Sequence, residues 1–338
     1  MLISSVRYPS INAKLKGMYS QKIKKNDFEE LLKQSTTKQA IALLKSLNTD
    51  FKNLEDNSDR TGIKVILDNI LINDIIKINR LFNEKDKKVL SNFISVYEIK
   101  CIKSVFRKIS SNSLLNEYTD ETQIWVSKIF LNLNGIQNSR DVLSFKEYLK
   151  RTQYYQIFNK YINDNVNIDV FKLENKLDKF YFEKMLKISE SYNKNLFDMV
   201  GKKSDLNNII WIYRVRKNYN FSKDSIRDIL INFNYKLKKN ELENLIESDN
   251  EKEFFEVLQT TYYSKYINFK YDIELENEID RYLYNLYKKI FKADIFDIGS
   301  VYAYLNMIDD ENNDIMNIIE GIRYDLDRDK LKEKLVVC

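Results

Sequence analysis

The sequence lacks histidine altogether and has one proline, two cysteines and six glycines among 338 residues. Without histidine it has neither the commonest general base nor the commonest metal ligand of proteins. Cys101 and Cys338 stand far apart and form no CxxC pair, which argues against zinc and iron–sulfur sites, and we expect Cys101 to be a small core residue. So few cysteines are typical of a reducing cytoplasm. The sequence therefore predicts no cofactor and no metal.

The scarcity of glycine and proline also limits the fold. Sandwiches, barrels and doubly wound α/β folds need many tight turns, which these two residues supply. Hydrophobic residues make up 43% of the chain, which is enough to bury a core, and they recur at helical spacing. We therefore expect an all-α protein of long helices and short polar loops.

Several functional signals are missing as well. No run of about 20 apolar residues predicts a membrane span, and the first ten residues lack the apolar core of a signal peptide, so we expect a soluble, cytoplasmic protein. No P-loop or GxGxxG pattern predicts a nucleotide site. The acidic stretch IDDENND at residues 308–314 lacks the spacing and glycine of an EF-hand, so we interpret it as a polar loop. A net charge of +5 is too balanced to predict nucleic-acid binding.

Two distant stretches of the chain are nearly the same. Residues 22–32 read KIKKNDFEELL and residues 236–246 read KLKKNELENLI, with six of eleven positions identical and an offset of 214. Each stretch continues into a second apolar pattern of helical period. The similarity therefore covers a helical hairpin and suggests an internal repeat.

A second match occurs three times, at half that offset. YEIKCIKSVFR, SDLNNIIWIYR and NDIMNIIEGIR begin at residues 97, 204 and 313, and each has an acid in second place, an apolar stripe and a final arginine. The acids and arginines of this repeat motif are Glu98, Arg107, Asp205, Arg214, Asp314 and Arg323. The acids lie 107 and then 109 residues apart, and twice 107 is 214. Two matches that share one period indicate three copies of a helical unit of about 110 residues.

A third match fits the same copies if one insertion is allowed. LENKLDKFY at residues 173–181 pairs with LENEIDRYL at residues 275–283, an offset of only 102. The third copy then needs extra residues, which we place within residues 292–313. We expect three similar helical domains, over residues 8–117, 118–222 and 223–338.

The repeat motif also predicts local structure. Ser204 and Asn313 precede acids and have capping side chains, so we expect them to be N-caps that place Asp205 and Asp314 in a first helical turn. Each arginine follows its acid by nine residues, half a turn around the helix, so we expect it to meet a carboxylate or a helix C-terminus on another helix. Threefold repetition favours a structural role for the motif over a catalytic one.

The first 25 residues contain basic but no acidic side chains. The six cations are Arg7, Lys14, Lys16, Lys22, Lys24 and Lys25. One interpretation is a solvated helix face. The other is a basic surface that faces anionic lipid headgroups or an acidic partner.

Taken in order, these features resemble the C subunit of the V/A-type rotary ATPases (ATP synthases), the relative of the d subunit of eukaryotic V-ATPases. The resemblance spans essentially the whole chain. It rests on YPSINAKLKGMYSQ at residues 8–21, the hairpin with DFEELL and AIALL, the repeat motif, and the C-terminal stretch of residues 297–336.

The sequence departs from the expected pattern at a few positions. Lys14 and Lys16 stand in the first helix where arginine is expected. Cys101 stands where the second and third copies have Asn208 and Asn317, so a polar helix contact is expected to be missing in the first copy.

The resemblance implies a non-catalytic part of the central rotor. Three similar helical domains in a pseudo-threefold funnel would receive the lower end of the axle, made by the D and F subunits, and would rest on the membrane rotor ring. ATP hydrolysis or synthesis would thereby be linked to H⁺ or Na⁺ transport. The protein would be cytoplasmic and held at the membrane through the complex. The basic stretch of residues 1–25 is the candidate ring- or membrane-facing surface.

Two other functions stay open at this point. An all-helical adaptor of another assembly, such as one that binds RNA, would show nucleic-acid affinity that falls steeply with salt. An enzyme would show turnover that is lost on changing Glu98, Asp205 or Asp314.

Overall fold

A computed structural model describes residues 2–111, 120–161, 170–218, 221–271, 274–293 and 297–338. Over these ranges the regular elements are helices and no strand occurs, so the prediction of an all-α fold is confirmed. The α-helices, in chain order, are α1 (Leu2–Ser20), α2 (Lys25–Leu32), α3 (Thr37–Leu47), α4 (Arg60–Asn79), α5 (Glu84–Ser110), α6 (Asp120–Lys128), α7 (Val142–Leu149), α8 (Tyr155–Tyr161), α9 (Val170–Tyr192), α10 (Lys194–Asn218), α11 (Lys223–Ile229), α12 (Lys239–Glu247), α13 (Glu251–Thr260), α14 (Leu275–Lys292), α15 (Ile298–Arg323) and α16 (Arg328–Glu333). Short 3₁₀ helices lie at Thr49–Phe51, Leu131–Leu133, Ile136–Asn138 and Tyr262–Lys265.

The helices form two compact units. The middle unit is Thr37–Tyr181, and the terminal unit combines Met1–Thr36 with Phe182–Cys338. In the middle unit α6 packs against α4 and α5, and α7 packs against α5 and α8. In the terminal unit α15 packs against α14, α1, α2, α10 and α16. The first helices of the chain therefore belong to the same unit as its last ones.

The three copies of the repeat motif lie on the long helices α5, α10 and α15, which have 27, 25 and 26 residues. α5 begins at an N-cap, Asn83, whose side chain accepts a hydrogen bond from the N–H of Asp86. Asp297 caps α15 in the same way through the N–H of Ser300. Buried residues occur around most of the circumference of α15, which is typical of a central helix that is covered on all sides.

The N-cap predictions for Ser204 and Asn313 are wrong. α10 begins at Lys194 and α15 at Ile298, so Asp205 and Asp314 lie well inside their helices. The apolar stripe of α10 continues on the N-terminal side of the motif, through Leu196, Met199 and Val200, which are all buried. Ser204 is itself fully buried, so it is a small packing residue rather than a cap.

The two similar stretches at residues 22–32 and 236–246 form matching elements. The backbone N–H of Lys24 donates to the Asp27 carboxylate at 2.6 Å, and that of Lys238 donates to Glu241 at 2.9 Å. Both pairs lie at helix starts, of α2 and α12, and are 214 residues apart. α2 packs on α15 as α12 packs on α10. The repeated sequence therefore corresponds to the same local structure, set against equivalent long helices.

The predicted insertion in the third copy can be located by helix ends. One residue separates α9 from α10, whereas α15 begins six residues after α14 ends and extends further ahead of its motif acid. The extra residues thus lengthen both the connection and the start of α15. Residues 294–296 of this connection lie outside the described ranges, as does the predicted boundary at residue 117. The division into domains at residues 8–117, 118–222 and 223–338 stays a prediction.

Candidate functional site

The repeat-motif acid of α10 joins distant segments to its helix. Asp205 is fully buried and accepts hydrogen bonds from the backbone N–H groups of Tyr235 (3.0 Å), Lys236 (2.6 Å) and Leu237 (2.8 Å). The hydroxyl of Tyr263 donates to the same carboxylate at 2.7 Å. Burial raises the pKa of Asp205, and these donors offset part of that effect. The carboxylate therefore holds the turn before α12 and the 3₁₀ helix after α13 against α10.

The equivalent acid of α5 makes a similar contact. Glu98 is 7% exposed and accepts hydrogen bonds from the Asn132 amide at 2.8 Å and the Tyr154 hydroxyl at 2.7 Å. Tyr154 follows Glu98 by 56 residues, and Tyr263 follows Asp205 by 58. Burial and then the neighbouring carboxylate raise the pKa of Tyr154, so its hydroxyl stays a donor. A buried bond between the motif acid and a distant tyrosine thus recurs in two copies.

The acid of α15 binds the end of the described chain. Asp314 is 2% exposed and accepts from the backbone N–H groups of Val336 at 2.9 Å and Val337 at 3.0 Å. Burial raises its pKa to about 7, against the effect of these two donors. Each of the three acids therefore fastens a segment distant in sequence to a long helix. A buried carboxylate without such donors is very costly, so each acid depends on the segment that it binds.

The motif arginines of α5 and α10 form paired contacts with other helices. The guanidinium of Arg107 donates through Nε and Nη2 to both oxygens of Glu174 on α9. That of Arg214 binds Glu276 on α14 in the same two-bond geometry, with Nε 2.6 Å from Oε1. Glu174 and Glu276 are the second residues of LENKLDKFY and LENEIDRYL. The repeat motif and the stretches LENKLDKFY and LENEIDRYL, which are separate sequence matches, are therefore in contact in two copies.

The motif arginine of α15 has a partner on its own helix. Arg323 pairs with Glu320, three residues earlier on α15, at 2.8 Å. The arginines of the other two pairs are more than half exposed, at 63% for Arg107 and 53% for Arg214. Ion pairs in such positions contribute little to stability, up to about 1 kcal/mol. Their fixed planar geometry orients neighbouring helices more than it stabilises them.

The basic stretch of residues 1–25 is distributed over α1, α2 and the turn between them. Lys14 and Lys25 are exposed. Lys24 donates to the carbonyl groups of Tyr19 and Ser20 at the end of α1, at 3.2 and 2.9 Å. The side chain of Arg7 lies outside the described residues.

The remaining cations of the stretch lie closer to the core. Lys16 lies over the ring of Phe291, with Nζ 4.8 Å from the ring centroid. Lys22 is half-buried, and its charge is one of those that lower the pKa of Glu311. The stretch is thus engaged in part with its own unit, and its role as a surface facing the ring stays a prediction.

One buried acid was missed by the sequence analysis. Residues 308–314 are not a polar loop but part of α15, so that interpretation is wrong. Glu311 within them is 5% exposed and accepts from the hydroxyls of Tyr19 on α1 (3.1 Å) and Tyr284 on α14 (3.0 Å). Burial raises its pKa to about 7. The signal was the helical spacing of Ile308, Glu311 and Ile315, which the density of acids obscured.

Comparison with known proteins identifies the family. The model of the ATP synthase (C/AC39) subunit family matches residues 11–334. The chain belongs to this family. The matched range includes all six residues of the repeat motif and excludes Arg7 among the six basic residues. The resemblance to the C subunit of the V/A-type ATPases is therefore confirmed.

Curated relatives of this C/AC39 chain share one description, the C subunit of an A-type ATP synthase. The protein of Methanosphaera stadtmanae is 23% identical, over 88% of this chain and 79% of its own length. That of Methanobrevibacter smithii is 25% identical, over 70% and 65%. That of Methanocaldococcus jannaschii is 21% identical, over 99% and 88%. The sequence identity is low, but the aligned regions cover most of this chain.

The three equivalent positions Cys101, Asn208 and Asn317 of this C/AC39 chain have different surroundings. The Asn208 side chain forms two hydrogen bonds with the backbone of Ile231, donating to O at 3.1 Å and accepting from N at 2.9 Å. Cys101 at the equivalent position of α5 is 4% exposed, and burial raises the pKa of its thiol to about 12. Asn317 on α15 is exposed. The two equivalent asparagines thus differ in burial, and Cys101 is a core residue as expected.

Among the residues whose positions are described, no helix combines the length and the apolar character that crossing a bilayer requires.

Proposed function

We propose that the chain is the non-catalytic central-rotor component of a V/A-type rotary ATPase. It acts as a socket that couples the axle, made by the D and F subunits, to the membrane rotor ring. ATP hydrolysis or synthesis is thereby linked to H⁺ or Na⁺ transport. The match to the ATP synthase (C/AC39) subunit family over residues 11–334 carries this proposal.

The contacts of the repeat motif support such a role. A part that transmits torque must resist sliding of its helices past one another, which close packing provides. Asp205, Glu98 and Asp314 each tie a distant segment to a long helix through buried hydrogen bonds. Arg107 and Arg214 add paired contacts between helices. These residues stiffen the protein and take no part in chemistry.

The proposal includes an arrangement and a location. The three copies form a pseudo-threefold funnel of similar helical domains, with α5, α10 and α15 as equivalent helices. The protein lies on the cytoplasmic side and is held at the membrane through the complex. The exposed Lys14 and Lys25 support the proposal that residues 1–25 face the ring or its lipids.

Membrane vesicles that contain the ATPase complex with and without this chain test the proposal. ATP hydrolysis and ATP-driven ion uptake are measured on the same vesicles. We expect hydrolysis to persist and ion uptake to disappear when the chain is absent, and uptake to return when the purified chain is added. The heat-denatured chain is the control and should restore nothing. Ion uptake at an unchanged ratio to hydrolysis without the chain would overturn the proposal.

A further inference from the structure

A groove lined by tyrosines opens in the terminal unit between α10, α14 and the 3₁₀ helix Tyr262–Lys265. Its cavity has a volume of about 370 Å³. The rings of Tyr262, Tyr266 and Tyr282 line it. The ring centroid of Tyr266 lies 5.3 Å from that of Tyr262 and 5.9 Å from that of Tyr282. We call this cavity, with the rim cations Lys202, Arg281 and Lys289, the tyrosine groove.

The three tyrosines of this segment differ in exposure. Tyr263 is fully buried against Asp205. Tyr262 is half-buried with its ring 5.4 Å from that of Tyr263, and Tyr266, which follows the 3₁₀ helix, is 56% exposed. Partly exposed tyrosines that cluster around a concave surface are enriched at the centres of protein–protein interfaces. The groove has that composition.

The charges around the groove are predominantly positive. Lys202 pairs with Asp198 at 2.6 Å, and Arg281 pairs with Glu278. Lys289 is exposed at the rim.

One further cation lies next to the rings. The Nζ of Lys236 lies 4.7 Å from the ring centroid of Tyr235 and 5.8 Å from that of Tyr262. Neither Lys236 nor Lys289 forms an ion pair with a carboxylate in the described part of the chain, so two ammonium groups remain uncompensated. A charge-complementary occupant carries carboxylates.

We propose that the tyrosine groove binds an acidic segment of a partner polypeptide that also carries an aromatic or apolar side chain. The rings of Tyr262, Tyr266 and Tyr282 pack against that side chain, and Lys236 and Lys289 receive the carboxylates. A nucleic acid fits less well, because its affinity rests on neutralising many successive phosphates, and two of the rim cations already pair with carboxylates of this chain. The inference goes beyond the rotor role, since it identifies a surface and the chemistry of its partner whichever complex the chain joins.

The test uses the full chain and a random copolymer of glutamate and tyrosine as the probe. Hydroxyl-radical labelling of tyrosines is followed by mass spectrometry with and without the probe. Tyr271 and Tyr324, which are 60% and 69% exposed, are internal controls of similar exposure to Tyr266. We expect the copolymer to reduce labelling of Tyr266 by about threefold or more and to leave the two controls unchanged. Polyglutamate, which lacks rings, should protect Tyr266 less.

Substitutions then locate the interaction. Tyr266→Ala and Lys289→Glu should each weaken copolymer binding by about tenfold or more, because they remove a ring and reverse a charge. The matched controls are Tyr271→Ala and Lys270→Glu, also at exposed positions, which should bind as the wild type does. All four sites are exposed, and unchanged urea midpoints verify that the variants fold.

Three results would overturn the proposal. The first is equal labelling of Tyr266 with and without the copolymer. The second is equal protection of Tyr266, Tyr271 and Tyr324, which indicates non-specific adsorption. The third is protection of Tyr266 by oligo(dT) but not by the copolymer, which assigns the groove to a nucleic acid.

Discussion

Single buried carboxylates determine which distant segments contact the long helices. Asp205 satisfies three consecutive backbone N–H groups and one tyrosine hydroxyl. Those N–H groups lie in the turn just before α12, outside any helix, so they have no partner within a regular element and need another acceptor. An aspartate that belongs to another helix supplies the acceptor. The side chain thus specifies a tertiary contact that backbone propensity alone does not provide.

Glu311 gives a test of pH dependence at the residue scale. Burial raises its pKa from 4.5 to about 7, so the folded state holds the proton more tightly than the unfolded state. The stabilisation by protonation is complete below about pH 4.5 and is lost as the pH rises through about 7. For Glu311→Gln, which cannot ionise, we expect the free energy of unfolding relative to wild type to increase by roughly 2–3 kcal/mol from pH 5 to pH 8.

Urea unfolding of both proteins across this range measures the difference. The matched control is Glu256→Gln on α13, where the side chain is 62% exposed, and its difference curve should be flat. Lys22 and Lys288 remain in both proteins. Asp314 titrates in the same range and its pKa is raised in part by Glu311, so its contribution adds to the difference curve in the same direction. A difference curve for Glu311→Gln that is as flat as the control would contradict the burial argument.

The roles of the motif acids could be predicted only in part. Their recurrence with the 107-residue period indicated a structural function. The first-turn position was wrong, because serine or asparagine before an acid is the pattern of an N-cap and is equally compatible with mid-helix packing. The donors of Asp205 lie 30 to 32 residues further along the chain. No local sequence signal specifies an acceptor at that distance.

At the scale of elements, the helices and their repetition followed from the sequence. The apolar period predicted the hairpin helix twice, and α2 and α12 share even the bond from the N-cap backbone to an acid in the first turn. The partners of Arg107 and Arg214 are 67 and 62 residues away. The sequence predicted that each arginine meets another helix but not which glutamate it meets, since several carboxylates satisfy the same spacing.

The same substitution at two glycines tests how closely the helices are packed, because the expected changes in stability have opposite signs. A Cβ at Gly201 on α10 would lie 2.6 Å from the Tyr235 ring, whose backbone N–H binds Asp205. Gly201→Ala should therefore destabilise the protein by about 1–3 kcal/mol. At Gly17 on α1 nothing lies within 4 Å of an added Cβ. Gly17→Ala should stabilise by about 0.5–1 kcal/mol through helix propensity alone.

Urea midpoints of the two variants and the wild type are sufficient for this comparison. Each substitution adds one methyl group within a helix, so propensity is matched and only the surroundings differ. Equal shifts in the same direction would mean that α10 does not approach the Tyr235 segment as closely as the structure indicates.

At the scale of the whole molecule, the order of the repeat copies along the chain does not match which helices pack together. α2 carries the first of the two similar stretches, yet it packs on α15, whose motif is the third copy. The N-terminal segment Met1–Thr36 therefore shares a compact unit with Phe182–Cys338. Sequence offsets reveal which segments are alike, but they do not reveal which long helix α2 or α12 packs against. That choice depends on contacts between the two ends of the chain.

Family membership and the contacts of the long helices together support the proposed passive coupling role. The matched family gives the class of complex, and buried acids with paired arginines give the rigidity that such a role requires. No step in this role needs a group on the chain to react. The central claim is therefore mechanical, and it is tested by motion rather than by turnover.

Single-molecule rotation tests that claim most directly. A probe is attached through Lys252→Cys, an 82% exposed site, in a Cys338→Ser background, since Cys101 is buried. The ATPase complex is immobilised by its catalytic head and supplied with ATP. A coupling role in the rotor predicts that the probe turns in steps with ATP hydrolysis. A probe that stays stationary while the same complexes hydrolyse ATP and pump ions would contradict it.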